Sequence, residues 1–159
     1  MKRTGDSTMY KIISESEDKN KIKIINIDKN DLVEFMEDYK GKGYYLSSIT
    51  GVDMKDHLEV IYHIHNYDTH EYIEVKISTT DDKVPSLTKL WKAAEWDERE
   101  QYDLMGVIFE GHENLRRIVL PDEWVGHPLR KSYDLKKVQY ISMDPEGKEH
   151  VSYNENEGW

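Results

Sequence analysis

The chain has 159 residues and a formal net charge of −10, from 32 acidic against 22 basic side chains. That length suits one domain with a single modest core, and the charge opposes nucleic-acid binding, which draws its affinity from clustered lysines and arginines on phosphates. Cysteine is absent, which excludes disulfides, thiol catalysis and thiolate-held iron–sulphur clusters within this chain.

In chain order, residues 1–20 form a polar N-terminal segment of mixed charge, with a short strand expected at Tyr10 to Ile13. Lys21 to Asp28, "KIKIINID", alternates and is rich in β-branched isoleucine, which predicts a strand. Asn30 then stands as the cap of a helix carrying Leu32, Phe35, Met36 and Tyr39 on one face, with Gly41 and Gly43 as its stop. Strands are expected at Tyr44 to Val52, Leu58 to His65 and Tyr72 to Thr79, joined by connectors short enough for hairpins. Pro85 and Ser86 open a helical stretch with Leu87, Leu90, Trp91 and Ala94 on one face, and a second helical piece runs from Trp96 to Met105 and ends at Gly106. Beyond Gly106 the periods stop, because Gly111, Pro121, Gly126 and Pro128 divide the apolar runs. The fold class is α/β (α+β): an antiparallel or mixed sheet flanked by helices. An irregular segment rich in arginine, glycine and proline follows, then an extended polar tail over residues 134–159.

No apolar run approaches the roughly 20 residues that a membrane helix needs, and the start lacks both a signal-peptide hydrophobic block and an Arg-rich, acid-poor presequence. A cytosolic chain is expected, in a cell without a mitochondrial import step.

Most candidate chemistry has a plainer explanation. His63 and His65 project on one strand face at a spacing that metals use, and His57 or His70 could approach from the ends of the hairpin; a metal site also needs a third ligand, an open position and supporting carboxylates, so a solvated strand face beside Glu59 and Glu74 is expected. The acidic cluster Glu95, Asp97, Glu98, Glu100 and Asp103 places Glu95 and Asp103 four residues either side of Arg99, and mutual salt bridging on a solvated or interfacial helix face accounts for it. Gly41-Lys42-Gly43 lacks the further residues of a nucleotide-binding loop, and no serine sits in a nucleophile elbow. No catalytic, cofactor-binding or metal site is expected.

The arginines are distributed unevenly. Of five in the chain, against 17 lysines, four lie between Glu98 and Tyr133: Arg99, Arg116, Arg117 and Arg130. Arginine is planar, weakly hydrated and able to grip a carboxylate at two points, so it suits a charge held at an interface or partly buried. Trp96 and Trp124 add anchors of the kind found at binding hot spots. Two readings stay open: a grip on a protein partner, and an arginine-rich network internal to the domain.

Glu98-Arg99-Glu100, Asp103, Leu104-Met105, His112, Arg116 and Ile118 follow in order and spacing a signature that resembles the C subunit of respiratory complex I, also called its 30-kilodalton subunit. "LPDEWVGHPLRKSY", with Arg117 before it and Trp124, His127 and Arg130 within or beside it, looks like that family's ending to the domain. "SSITGVD", "VIYHI" and "PSLTKLWKAAEW" are similar too, so the resemblance covers roughly residues 30–135 within an expected domain of residues 21–133. It implies a non-catalytic peripheral-arm subunit of an NADH:quinone oxidoreductase-like complex, on the cytoplasmic side of a prokaryotic membrane. It implies no cofactor in this chain, with iron–sulphur clusters and a flavin or nickel–iron site in partner subunits. A D-type subunit forming the quinone site, a B-type iron–sulphur subunit and other peripheral-arm subunits are the implied partners. Glu98, Arg99, Glu100, Asp103, His112, Arg116, Arg117, Trp124, His127, Arg130 and Trp159 are the interface and signature residues so expected. The alternatives are the equivalent subunit of a membrane-bound nickel–iron hydrogenase or of a dehydrogenase fed by ferredoxin or a deazaflavin, and, in another class, a free-standing interaction or assembly protein.

Overall fold

A computed structural model describes residues 10–153. The strand expected at Tyr10 to Ile13 lies slightly later, as β1 (Ile12–Glu17), and pairs antiparallel with β2 (Lys23–Ile27). The cap before the first helix differs from expectation. Asp28, not Asn30, provides the side-chain oxygen, accepting the Asn30 amide at 2.9 Å and closing a 3-10 turn over Lys29–Asp31. Helix α1 (Leu32–Gly41) continues from that turn with Leu32, Phe35 and Met36 buried.

Strands β3 (Tyr45–Asp53), β4 (Leu58–Asn66) and β5 (Glu71–Thr79) form an antiparallel meander through two hairpins, as the short connectors require. β2 then lies parallel to β5, so the five-stranded sheet has the order β1-β2-β5-β4-β3. Alternation decides its faces. Leu58, Val60, Tyr62 and Ile64 point into the core with Ile25, Ile27, Ile73, Val75 and Ile77, while Glu59, Ile61, His63 and His65 line the opposite, half-buried face.

The largest departure follows β5. The helix expected from Pro85 is absent: Lys83–Pro85 is strand β6, parallel to β7 (Ile108–Glu110), and residues 86–93 form separate turns. The Ser86 amide donates to the Glu110 carbonyl at 2.9 Å and the Leu87 amide to a Glu98 carboxylate oxygen at 2.6 Å, so these two amides are committed outside any helix. Helix α2 runs unbroken from Ala94 to Met105 and ends at Gly106, whose φ of 74° suits the left-handed cap. It packs closely on β3 because Gly51 has no side chain there: a Cβ would stand 3.1 Å from the Gln101 amide oxygen and 3.2 Å from Met105 Cγ.

Past β7 the chain folds back over α2 without regular structure, then forms a hairpin where the sequence predicts an extended tail, β8 (Gln139–Met143) with β9 (Glu149–Tyr153). Asp144-Pro145-Glu146-Gly147 forms its turn, with Gly147 at φ 81°.

Candidate functional site

Residues of α2 that read as a solvated face are enclosed. Glu98 and Asp103 are fully buried, and Arg99 and Gln101 nearly so. The i to i+4 salt bridges expected among Glu95, Arg99 and Asp103 are not formed, because the returning segment supplies better partners. Oδ2 of Asp103 accepts the amides of Ile118, Val119 and Leu120 at 2.9, 2.7 and 3.0 Å, and Oδ1 receives the Arg117 guanidinium at 2.6 Å. Burial pushes this carboxyl up, but the amides of Leu120 and Val119, the Arg117 guanidinium and the Ile118 amide together outweigh it and hold it below the usual carboxylate range.

The arginines divide by what they hold. Besides Asp103, Arg117 donates to the carbonyls of Trp124 and Gly126 at 3.0 and 2.9 Å. Arg99 lies 4.9 Å from the centre of the Trp96 ring and donates to the carbonyls of Arg116 and Arg117 at 3.2 and 3.4 Å. Arg130 donates to the Met105 carbonyl and pairs with Asp82 at 2.8 Å. Arg116 alone of the four is exposed, with no side-chain partner among the described residues.

Both signature histidines are pinned to backbone. His127 donates from Nδ1 to the Asp103 carbonyl at 2.9 Å, and its ring covers Gly106, where a Cβ would approach it to 2.7 Å. His112 donates from Nε2 to the Glu95 carbonyl at 3.2 Å while its Nδ1 accepts the Asn114 amide, which fixes its tautomer. Trp124 is half-buried, and its indole N–H is enclosed without an acceptor among the described residues. Glu100 is exposed on α2, and Trp159 lies outside the described residues.

No cation pairs with Glu98 among the described residues. Its carboxylate accepts from the Leu87 amide and from the Ser86 hydroxyl at 2.7 Å, and burial drives its pKa up to about 7. Sequence reasoning missed three supporting residues: Ser86, Asp82, and Asp53, which accepts the Lys131 amide at 2.8 Å across the domain. Each is a short polar side chain in a turn or at a strand end, where the sequence gives no sign of a distant partner.

His63 is bonded to the Tyr72 hydroxyl at 2.6 Å, and His65 packs against Tyr45 and Tyr67. Their face is aromatic and half-buried rather than open and solvated. Among the described residues no group of three or more His, Asp or Glu side chains could hold a metal ion, and no helix is long and apolar enough to cross a membrane. Among the described residues, the carboxylates and guanidinium groups at the centre of this region are bonded within it, so the arrangement fixes a surface.

Residues 25–139 match the family described as respiratory-chain NADH dehydrogenase, 30 Kd subunit. The chain belongs to this family. Among relatives of the 30-kilodalton subunit family, the C subunit of NADH-quinone oxidoreductase from Chloroherpeton thalassium is 38% identical over 121 residues, covering 72% of this chain and 50% of that protein. The C/D subunit of NADH-quinone oxidoreductase from Phocaeicola vulgatus is 46% identical over 94 residues, covering 57% of this chain and 18% of the longer protein. The chain thus spans half or less of the length of these curated relatives. A solved structure described as Nqo5 of the trypsin-resistant fragment (1-134) superposes with a TM-score of 0.59 at 26% identity, covering 67% of this chain and 89% of that one. The matched span contains α1, the whole meander, α2 and the segment that folds back over it, so the family pattern includes the Asp103 hub.

Proposed function

We propose that this chain is the C-type, peripheral-arm subunit of a complex I-like membrane oxidoreductase, and that it supports the subunits where electrons reach the acceptor without carrying a redox group itself. The match of residues 25–139 to the 30 Kd subunit family, whose relatives include proteins named as C subunits of NADH-quinone oxidoreductases, carries this reading. The absence of cysteine is in keeping with it. The D-type subunit is the first partner, since relatives named C/D hold both modules in one polypeptide. A B-type iron–sulphur subunit is the second, and the complex sits on the cytoplasmic side of the membrane. The network around Asp103 serves as a scaffold: it spends most of the segment's arginines internally and thereby sets the shape of the surface that the partner meets.

Affinity purification from the native membrane through a tag on this chain tests the reading. The D-type and B-type subunits should follow in equal amounts, with quinone reduction by the eluted complex. Elution of the chain alone, as a stable monomer, from membranes that retain an active complex refutes it and leaves the free-standing interaction protein.

A further inference from the structure

Beside the hub, Trp96 and Arg116 face solvent, as does Val119. Trp96, in the first turn of α2, is 60% exposed. Its ring is nonetheless held, because the Arg99 guanidinium lies 4.9 Å from its centroid and is bound to the carbonyls of Arg116 and Arg117. Arg99 is only 4% exposed, so the cation backs the ring and leaves the rest of the indole outward. Arg116 is exposed, and its carbonyl receives the same guanidinium. Arg99 therefore couples the positions of an outward tryptophan and an outward arginine that has no side-chain partner among the described residues.

A fixed ring loses little entropy when covered, and tryptophan and arginine are the residue types that most often dominate an interface. An arginine without an internal partner is free to take a carboxylate at two points. Glu100, exposed one turn further along α2, disfavours an acidic group over that end of the helix.

We propose that Trp96 and Arg116 form one anchor, backed by Arg99, for a carboxylate-bearing segment of the D-type subunit. An apolar side chain of that segment covers the indole while its carboxylate pairs with Arg116. The inference rests on the subunit reading above and adds the contact surface and its chemistry.

The test uses the full chain and the D-type subunit of the same organism, measuring binding beside thermal melts of each variant alone. Trp96→Ala and Arg116→Glu should each weaken binding by about tenfold or more, with melting temperatures close to that of the unaltered chain. Arg116→Lys should recover part of the loss, and Arg116→Gln replaces the charge reversal if that variant melts early. Lys19→Glu, exposed in the β1–β2 turn at the opposite edge of the sheet from β3, should bind normally. Normal binding by both anchor variants overturns the anchor and leaves the subunit reading intact. Failure of the unaltered chain to bind overturns both. Loss of binding to the B-type subunit, with D-type binding kept, overturns the choice of occupant.

Discussion

Replacing Asp103 with asparagine tests whether one buried carboxylate organises the segment that folds back over α2. The size is kept, but the charge is lost. One oxygen becomes an amide group that must face donors whichever way it turns, because Oδ2 meets three backbone amides and Oδ1 meets Arg117. Breaking a buried pair from one side costs about 3–5 kcal/mol. Arg117 keeps the carbonyls of Asp103, Trp124 and Gly126, which places the loss near the lower end, about 3 kcal/mol. Against a total stability of about 5–15 kcal/mol this is large, and in a chain of this size it lowers the melting temperature by about 6–12 °C. Urea and thermal melts measure the total, and amide hydrogen exchange at residues 118–120 locates it. The sign with pH follows from a carboxyl held below its usual range: its stabilisation is complete above the unfolded value of about 3.9 and disappears as pH falls through the folded value. Asp103→Asn should therefore flatten that part of the acid limb. A loss under about 0.5 kcal/mol, typical of a surface change, with the three amides still protected, would refute the hub.

Glu98 carries the opposite sign. Its folded pKa is raised from 4.5 to about 7, so its contribution declines as pH rises from about 4.5 to about 7, by about 3 kcal/mol in total, and stays low above that. Glu98→Gln should remove this slope and leave the protein more stable than the unaltered chain at pH 8; parallel stability curves would contradict it. Arg130→Ala should destabilise the isolated chain by about 1–3 kcal/mol through the lost Met105 and Asp82 contacts, whereas an unchanged melting temperature would return Arg130 to a partner. Changing both His63 and His65 to Gln should leave complex activity near normal, and loss of a bound zinc or nickel together with activity would sink that expectation. Trypsin should cut beyond Tyr133 early in the isolated chain and late in the complex, since the described tail exposes Leu135, Tyr140, Ile141 and Met143; equal rates would argue against docking of the tail.

The meander and α1 were legible because one buried face imposes period 2 on a strand and about 3.6 on a helix, and Leu58 to Ile64 and Leu32 to Tyr39 carry those periods without interruption. Around α2 the same logic misled. Glu95, Arg99 and Asp103 have the spacing of a solvated salt-bridge ladder, and spacing is silent about whether another segment lies on top. That segment, His112 to Arg130, is held by individual hydrogen bonds to backbone, which leave no period in the sequence. Leu87, Leu90, Trp91 and Ala94 recur at helical intervals, yet the amides of Leu90 and Trp91 both reach the Leu87 carbonyl and that of Ala94 reaches only Trp91, so the bonding breaks into separate turns before α2. The uneven placement of arginine was a true signal of specific geometry. It did not reveal that three of the four would face inward, because a guanidinium gripping carbonyls looks the same in sequence as one awaiting a partner.

The bond from the Lys131 amide to Asp53 joins residues 78 positions apart, and it has a temporal consequence. During synthesis α2 emerges before the segment that supplies Asp103 with its donors, 14 to 17 residues further on, so the Asp103 carboxylate of a nascent chain remains in water until they arrive. Arg99 likewise has no carbonyls to hold it until residues 116 and 117 arrive, and until then Trp96 is unsupported. The surface we assign to the partner thus matures after the sheet, which discourages capture of a chain stopped before residue 116. On refolding, the fluorescence signal from Trp96 should accordingly follow formation of the sheet, and chains stopped before residue 116 should form the meander yet fail to bind.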